Sequence, residues 1–149
     1  MSATESNLRA AHAEVKAEIA RTDTKTSLLL AFIGALLAGS WTVAKDAPLS
    51  LPAYIAGGLG TALLLAAAAL LLKSVRPNLG GSHGFPLWAT LTAEEISATL
   101  ATDLSADIAG LSRIAVVKFT SLQRAIDLTR AGGALLILAA LIQVGGALA

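Results

Sequence analysis

The sequence predicts an all-α integral membrane protein with three transmembrane helices, two of which extend beyond the bilayer into a cytoplasmic helical bundle. Three observations lead there. The chain of 149 residues is 55% hydrophobic and only 14% charged, where a soluble domain has about a quarter of its residues charged. The apolar residues fall in three blocks, 26–44, 51–72 and 131–149, bounded by Lys25 and Lys45, by Lys73, and by Arg130. A hydrocarbon core of about 30 Å needs roughly 20 helical residues, and each block has about that length. Finally, the lysines and arginines are distributed unevenly about these blocks, as the topology of a membrane protein requires.

The elements follow in order. Leu8, Ala11, Val15, Ile19 and Thr22 recur at helical spacing through the charged residues 5–24. Neither Pro nor Gly separates them from the first block, so one helix is expected from about Thr4 to Ala44. Its residues 1–24 form a cytoplasmic arm. A signal peptide is excluded, because the apolar run starts too far from Met1 and two more spans follow. Lys45-Asp46-Ala47-Pro48 breaks the helix. The second span opens near Pro52, tolerated in a first turn, and closes at Arg76-Pro77. The glycine-rich LGGSHGFP, 79–86, reads as a connector. Thr92 and Glu95 have the spacing of a capping box. They start a helix over 92–109 with Ile96, Leu100, Leu104 and Ile108 on one face, and Gly110 is expected to end it. A further helix from Ser112 carries Ile114, Val117, Ser121, Ala125 and Leu128 on one face and runs into the third span. Residues 73–130 thus read as a cytoplasmic helical hairpin within a single membrane domain.

Arg9, Lys16, Arg21 and Lys25 precede the first span, and Lys73, Arg76, Arg113, Lys118, Arg124 and Arg130 lie between the second and third. Only Lys45 lies between the first two, and no basic residue follows the third. The excess of Lys and Arg on the cytoplasmic side puts the N-terminus and 73–130 inside, with the 45–50 loop and the C-terminus outside. Arg21 and Lys25 anchor the first span at that face, but Asp23 has no such role.

The chemistry offered is sparse. Absence of cysteine excludes disulfides and thiolate sites. The three blocks contain no Asp, Glu, Lys, Arg or His, which argues against a pump or coupled transporter. Small residues, among them Ala31, Gly34, Ala35 and Gly39 in the first span and Ala53, Gly57, Gly60 and Thr61 in the second, allow close helix approach within one chain or between chains. Gln143 is the most polar residue of the third span, suited to a helix–helix hydrogen bond or to lining a pore. GGLG at 57–60 lacks the Lys-Ser/Thr of a phosphate loop. His83 in GGSHG reads as a solvated loop residue, and His12 has no partner at ligand spacing, so neither a metal site nor an enzyme is expected. Glu94, Glu95, Asp103 and Asp107 precede Arg113, Lys118, Arg124 and Arg130. That asymmetry fits an acidic helix set against a basic one, an anion site built from Arg113 and Arg124 with Arg21 or Lys25, or a polybasic surface for anionic lipid.

Three stretches, ARTDTKTSLLLAFIGALLAG, SVRPNLGG and SRIAVVKFTSLQRAIDLTRAGGALL, resemble the transmembrane effector family of Pycsar anti-phage systems over nearly the whole chain. The shared signals are a D-x-K-x-S/A entrance to the first span, an R-P exit from the second, and an S-R-x-A-x-x-K-[YF] helix. The resemblance implies a bacterial inner-membrane effector activated by cyclic UMP or cyclic CMP from a partner pyrimidine cyclase, impairing the membrane in abortive infection. It implies no further cofactor and no nucleic-acid partner. Three helices bury little of their own surface, which makes a homo-oligomer attractive. Asp23, Lys25, Arg113 and Lys118, with Arg21 and Arg124 beside them, become candidates for sensing or gating. The chain lacks the β-barrel domain of familiar cyclic-nucleotide sensors, so the helical bundle itself would sense. A structural or adaptor membrane protein, whose basic face binds lipid or a partner, is the alternative. A channel is disfavoured because no charged filter is present.

Overall fold

The computed structural model describes residues 3–76, 85–102 and 104–147, all helical or in short connections. Among the described residues five helices follow one another: α1 (Ala3–Ala44), α2 (Leu51–Val75), α3 (Phe85–Trp88), α4 (Ala93–Thr102) and α5 (Leu104–Ala147). The architecture is all-α, with no strand among the described residues. Among the described residues three helices, α1, α2 and α5, are long and apolar enough to cross a membrane.

The local signals act where the sequence places them. α1 is unbroken through Thr24-Lys25 because no residue there lacks a backbone N–H or disfavours helix strongly. It stops at the turn before Pro48, with the Lys45 N–H still bonded to the Trp41 carbonyl at 3.0 Å. The capping box of α4 is formed in both directions. The Thr92 N–H donates to Glu95 Oε2 at 2.8 Å, and the Glu95 N–H donates to Thr92 Oγ1 at 3.3 Å. His83 and most of the 79–86 connector lie outside the described residues, but Phe85–Trp88 forms a short helix rather than loop.

One expectation fails at Gly110. α5 runs through it without interruption, so Leu104 and Ile108 belong to α5, and α4 ends at Thr102. A glycine inside a helix costs about 1 kcal/mol relative to alanine, which is too little to end a helix whose flanking turns are packed. Gly110 is itself buried.

The chain forms two compact units, one from Met1–Thr24 with Arg76–Thr120, the other from Lys25–Val75 with Ser121–Ala149. In the first, α1 turns Leu8, His12, Val15, Ile19 and Thr22 inward, and α5 turns Ile108, Leu111, Ala115 and Lys118 inward. Steps of four and three alternate along both sets, which is the 3.5-residue period of a coiled-coil seam. The expected α5 stripe is therefore corrected here. Ile114 and Val117 are 45% and 65% exposed, while Ala115 is the buried position.

In the second unit the core is Ile33 of α1, Leu64, Ala67 and Leu71 of α2, and Leu122 and Ala125 of α5. α2 buries Ala53, Ala56, Gly60, Leu64, Ala67 and Leu71, steps of three and four that define one helical face. Its remaining faces expose Leu59, Leu65 and Leu72, as α1 exposes Leu28 and Phe32 and α5 exposes Ile137, Leu141 and Val144. Such apolar surface is stable facing lipid but not water. Because lipid tails are as apolar as leucine, packing here rests on close backbone approach. A Cβ on Gly60 would lie 2.8 Å from the Gly132 carbonyl oxygen, and a Cβ on Gly132 would lie 2.8 Å from that of Gly60. Gly57 faces Ala139 at 3.7 Å. Rising residue numbers on α2 thus meet falling numbers on α5, and the two helices run antiparallel. Thr61 and Thr129 donate to the carbonyls of Gly57 and Ala125, so their hydroxyls are satisfied without water.

The part of α5 that belongs to this unit starts at Ser121. Over 121–130, Gln123, Arg124, Asp127 and Arg130 are exposed while Leu122, Ala125 and Thr129 face inward.

Candidate functional site

Two side-chain pairs tie α1 to α5 within the first unit. His12 Nε2 lies 2.8 Å from Asp107 Oδ2, with side chains 16% and 17% exposed. Lys118 Nζ donates to Asp23 Oδ1 at 2.5 Å, with side chains 20% and 41% exposed. Both pairs join residues 95 apart in sequence. A constant offset means that α1 and α5 run parallel here, in one register. The pairs stand eleven residues apart on each helix, about 16 Å at the standard rise.

Lys118 occupies a seam position that an apolar residue would ordinarily fill. A polar group there fixes register at some expense in stability. Its ammonium is satisfied by Asp23, which answers why a carboxylate stands among basic residues before the first span. A half-exposed pair of this kind contributes on the order of 1 kcal/mol. Removing one partner costs more than removing both, because the other charge is left at the seam.

The remaining candidates are arranged differently. Arg21 is exposed and paired with Glu18 on its own helix. Arg113 is exposed on α5 in the first unit. Lys25 and Arg124 are exposed in the second unit. None of these last three has an ion pair among the described residues. Among the described residues, Asp23 and Lys118 are the two of the six candidates that an ion pair joins.

The packing candidates also separate. Gly60 makes the close crossing and Gly57 an ordinary contact, whereas a Cβ on Gly34 or Gly39 would meet nothing within 4 Å in this chain. Gln143 Nε2 donates to the Pro48 carbonyl at 2.9 Å, and its Oε1 accepts from the Ser50 N–H at 3.0 Å. It therefore fastens the turn between α1 and α2. Ser50 in turn accepts the Tyr54 N–H at 2.9 Å at the start of α2.

Sequence reasoning missed three contacts. The partner of His12 lies on another helix, and spacing along α1 could not reveal it. The repeat of the interval eleven, from His12 to Asp23 and from Asp107 to Lys118, was the available signal. Gly132 makes the tightest approach with Gly60, but its doublet Gly132-Gly133 went unweighted. Lys16 places its ammonium 5.8 Å from the ring centroid of Trp88. Among the described residues there is no group of three or more His, Cys, Asp or Glu that could hold a metal ion.

The arrangement supplies a polar, register-fixing seam in one unit and a tightly packed apolar trio of helices in the other. Comparison with curated proteins finds no match. Nor does any solved structure match the chain. A family model, the Pycsar effector protein domain, matches residues 7–145, nearly the whole chain, and both helix-joining pairs fall inside that match. This multi-pass membrane chain therefore belongs to the Pycsar effector family.

Proposed function

We propose that this Pycsar effector answers a cyclic pyrimidine nucleotide, cyclic UMP or cyclic CMP, supplied by a partner pyrimidine cyclase. Its response impairs the inner membrane and ends infection by loss of the host cell. The observation that carries the reading is the family match over 7–145. The excess of lysine and arginine before the first span and between the second and third supports a cytoplasmic N-terminus and an external C-terminus.

The Asp23–Lys118 pair suits a resting-state latch. A cyclic phosphodiester carries one negative charge and competes with Asp23 for Lys118. Arg21 and Arg113, exposed in the same unit, supply further cations for that anion. Release of the latch then lets chains associate, with the open faces of Gly34 and Gly39 offering close approach to a second copy.

Calorimetry on detergent-purified protein tests binding, and dye release from liposomes tests the membrane response. The expected result is heat and leakage with one of the two nucleotides and neither with cyclic AMP. A folded sample that gives no heat with either pyrimidine nucleotide overturns the sensing role and favours a membrane adaptor.

A further inference from the structure

The register of the second unit places one arginine where a headgroup must come to it. Gly57 opposite Ala139 and Gly60 opposite Gly132 and Leu135 set the levels of α2 and α5. Continuing that antiparallel register brings Lys73, just past the second span, level with Arg124 to within about a turn. The packing of Leu71 with Leu122 and Ala125 agrees with it. Lys25, just before the first span, belongs to the same unit. At the opposite end, Gln143 is level with Pro48 and Ser50.

Arg124 and Gln143 are thus nineteen residues apart, about 28 Å at the standard rise, which is the thickness of a hydrocarbon core. Arg130 lies within that interval, six residues or about 9 Å beyond Arg124. It is exposed, so it faces lipid rather than the helix packing. A charged guanidinium is costly at that depth unless it reaches the interface. Helical side chains lean toward the N-terminus of their helix, and for α5 that direction leads toward the Arg124 end. Asp127 is the one carboxylate between the two arginines, and it forms no ion pair with either among the described residues.

The two ends of the unit differ in charge. The Arg124 end carries Lys25, Lys73, Arg124 and Arg130, all exposed and none ion-paired among the described residues. The other end carries Lys45, already 3.6 Å from Asp46, with Trp41 and Tyr54 exposed at 73% and 67%. Indole and phenol rings sit at the membrane–water interface of any leaflet, whereas unpaired cations select anionic headgroups.

We infer that Arg130, at the end of the unit that also carries Arg124, Lys25 and Lys73, binds the phosphate of an anionic phospholipid in the adjoining leaflet. Arg130 rises to the phosphate from below, and its planar fork takes two phosphate oxygens. This requires only that the second unit crosses a bilayer, and it is independent of the nucleotide reading.

The test reconstitutes the full chain in mixed bilayers and measures, by electron spin resonance, the motionally restricted fraction of spin-labelled phosphatidylglycerol and phosphatidylcholine. About 1 kcal/mol per cation at a lipid surface corresponds to roughly a fivefold preference. Wild type is expected to prefer phosphatidylglycerol by about that factor or more, and Arg130→Gln to lose most of it with its helical circular dichroism intact. Lys25→Gln is expected to weaken the preference less, because it does not reach up from within the core. Inorganic phosphate at constant ionic strength should leave the preference in place. Equal restriction of the two lipids, an undiminished preference in Arg130→Gln, or abolition by inorganic phosphate would each overturn the inference, the last by marking a site for soluble anions.

Discussion

The two units join their long helices with opposite chemistry, α1 to α5 in the first and α2 to α5 in the second. In the first, α1 and α5 are joined by side chains that reach across the seam, His12 to Asp107 and Lys118 to Asp23. In the second, the helices come together because side chains are missing, with Gly60 and Gly132 letting backbones meet and Ala67 and Ala125 fully buried beside them. Long polar contacts tolerate separation and re-formation. Backbone contacts between glycines do not, because any added atom collides. The comparison predicts that the first unit is the adjustable half and the second the fixed one.

The strongest way to break that contrast is to add volume at the glycine crossing. Gly60→Val or Gly132→Val is expected to destabilise the helix packing by 3 kcal/mol or more, at or above the upper end of ordinary overpacking, since the obstacle is a carbonyl oxygen 2.8 Å away. Thermal unfolding in detergent measures it, and a melting temperature within a degree of wild type would show that the crossing is not tight.

Next in size is the latch. Asp23→Ala leaves Lys118 at the seam without that carboxylate and is expected to cost about 1–2 kcal/mol. It should also make expression toxic without infection. Lys118→Met, which keeps volume and removes charge, should be milder in stability, and the double variant should show about 1 kcal/mol of coupling. If Asp23→Ala cells grow normally and still resist phage, the pair is only a register pin.

Gln143→Leu sharpens the comparison at the far end. It removes both hydrogen bonds to the α1–α2 turn and is expected to cost about 1 kcal/mol. Amide exchange at Ser50 should accelerate severalfold while exchange in the centre of α2 stays unchanged. Unaltered exchange at Ser50 would mean that the turn holds itself. Smallest of all, Gly39→Ala should leave the monomer's stability within about 0.5 kcal/mol of wild type or raise it slightly, because its Cβ meets nothing. A loss of chain association in cross-linking, with stability kept, would locate the contact between copies on α1.

Much of this fold was legible because it is local. Runs of apolar residues set the spans, Lys45 to Pro48 set the first turn, and Thr92 with Glu95 set the start of α4. What failed depends on partners distant in sequence. Gly110 read as a break because nothing local showed that its turn is packed. Ile114 and Val117 read as inward because their spacing is helical, but which apolar face turns inward is decided by the helix opposite, and Ala115 holds that place. Between Ser121 and Arg130 the inward face of Leu122, Ala125 and Thr129 is masked in the sequence by the exposed Arg124, Asp127 and Arg130. In the candidate site, Asp23 and Lys118 were both singled out, but only the parallel register showed that they belong to each other. His12 was set aside for want of the same information.

That register has a mechanical consequence. A slip of one turn, four residues in either direction, would set Asp23 against Ile114 or Leu122, neither of which can replace an ammonium. Piston-like travel of α1 along α5 must therefore break an ion pair before any movement is complete, whereas a screw or a splay of the two rods can proceed with their levels preserved. While the Asp23–Lys118 pair holds, a message passed along these helices is one of torsion, and stroke requires its release.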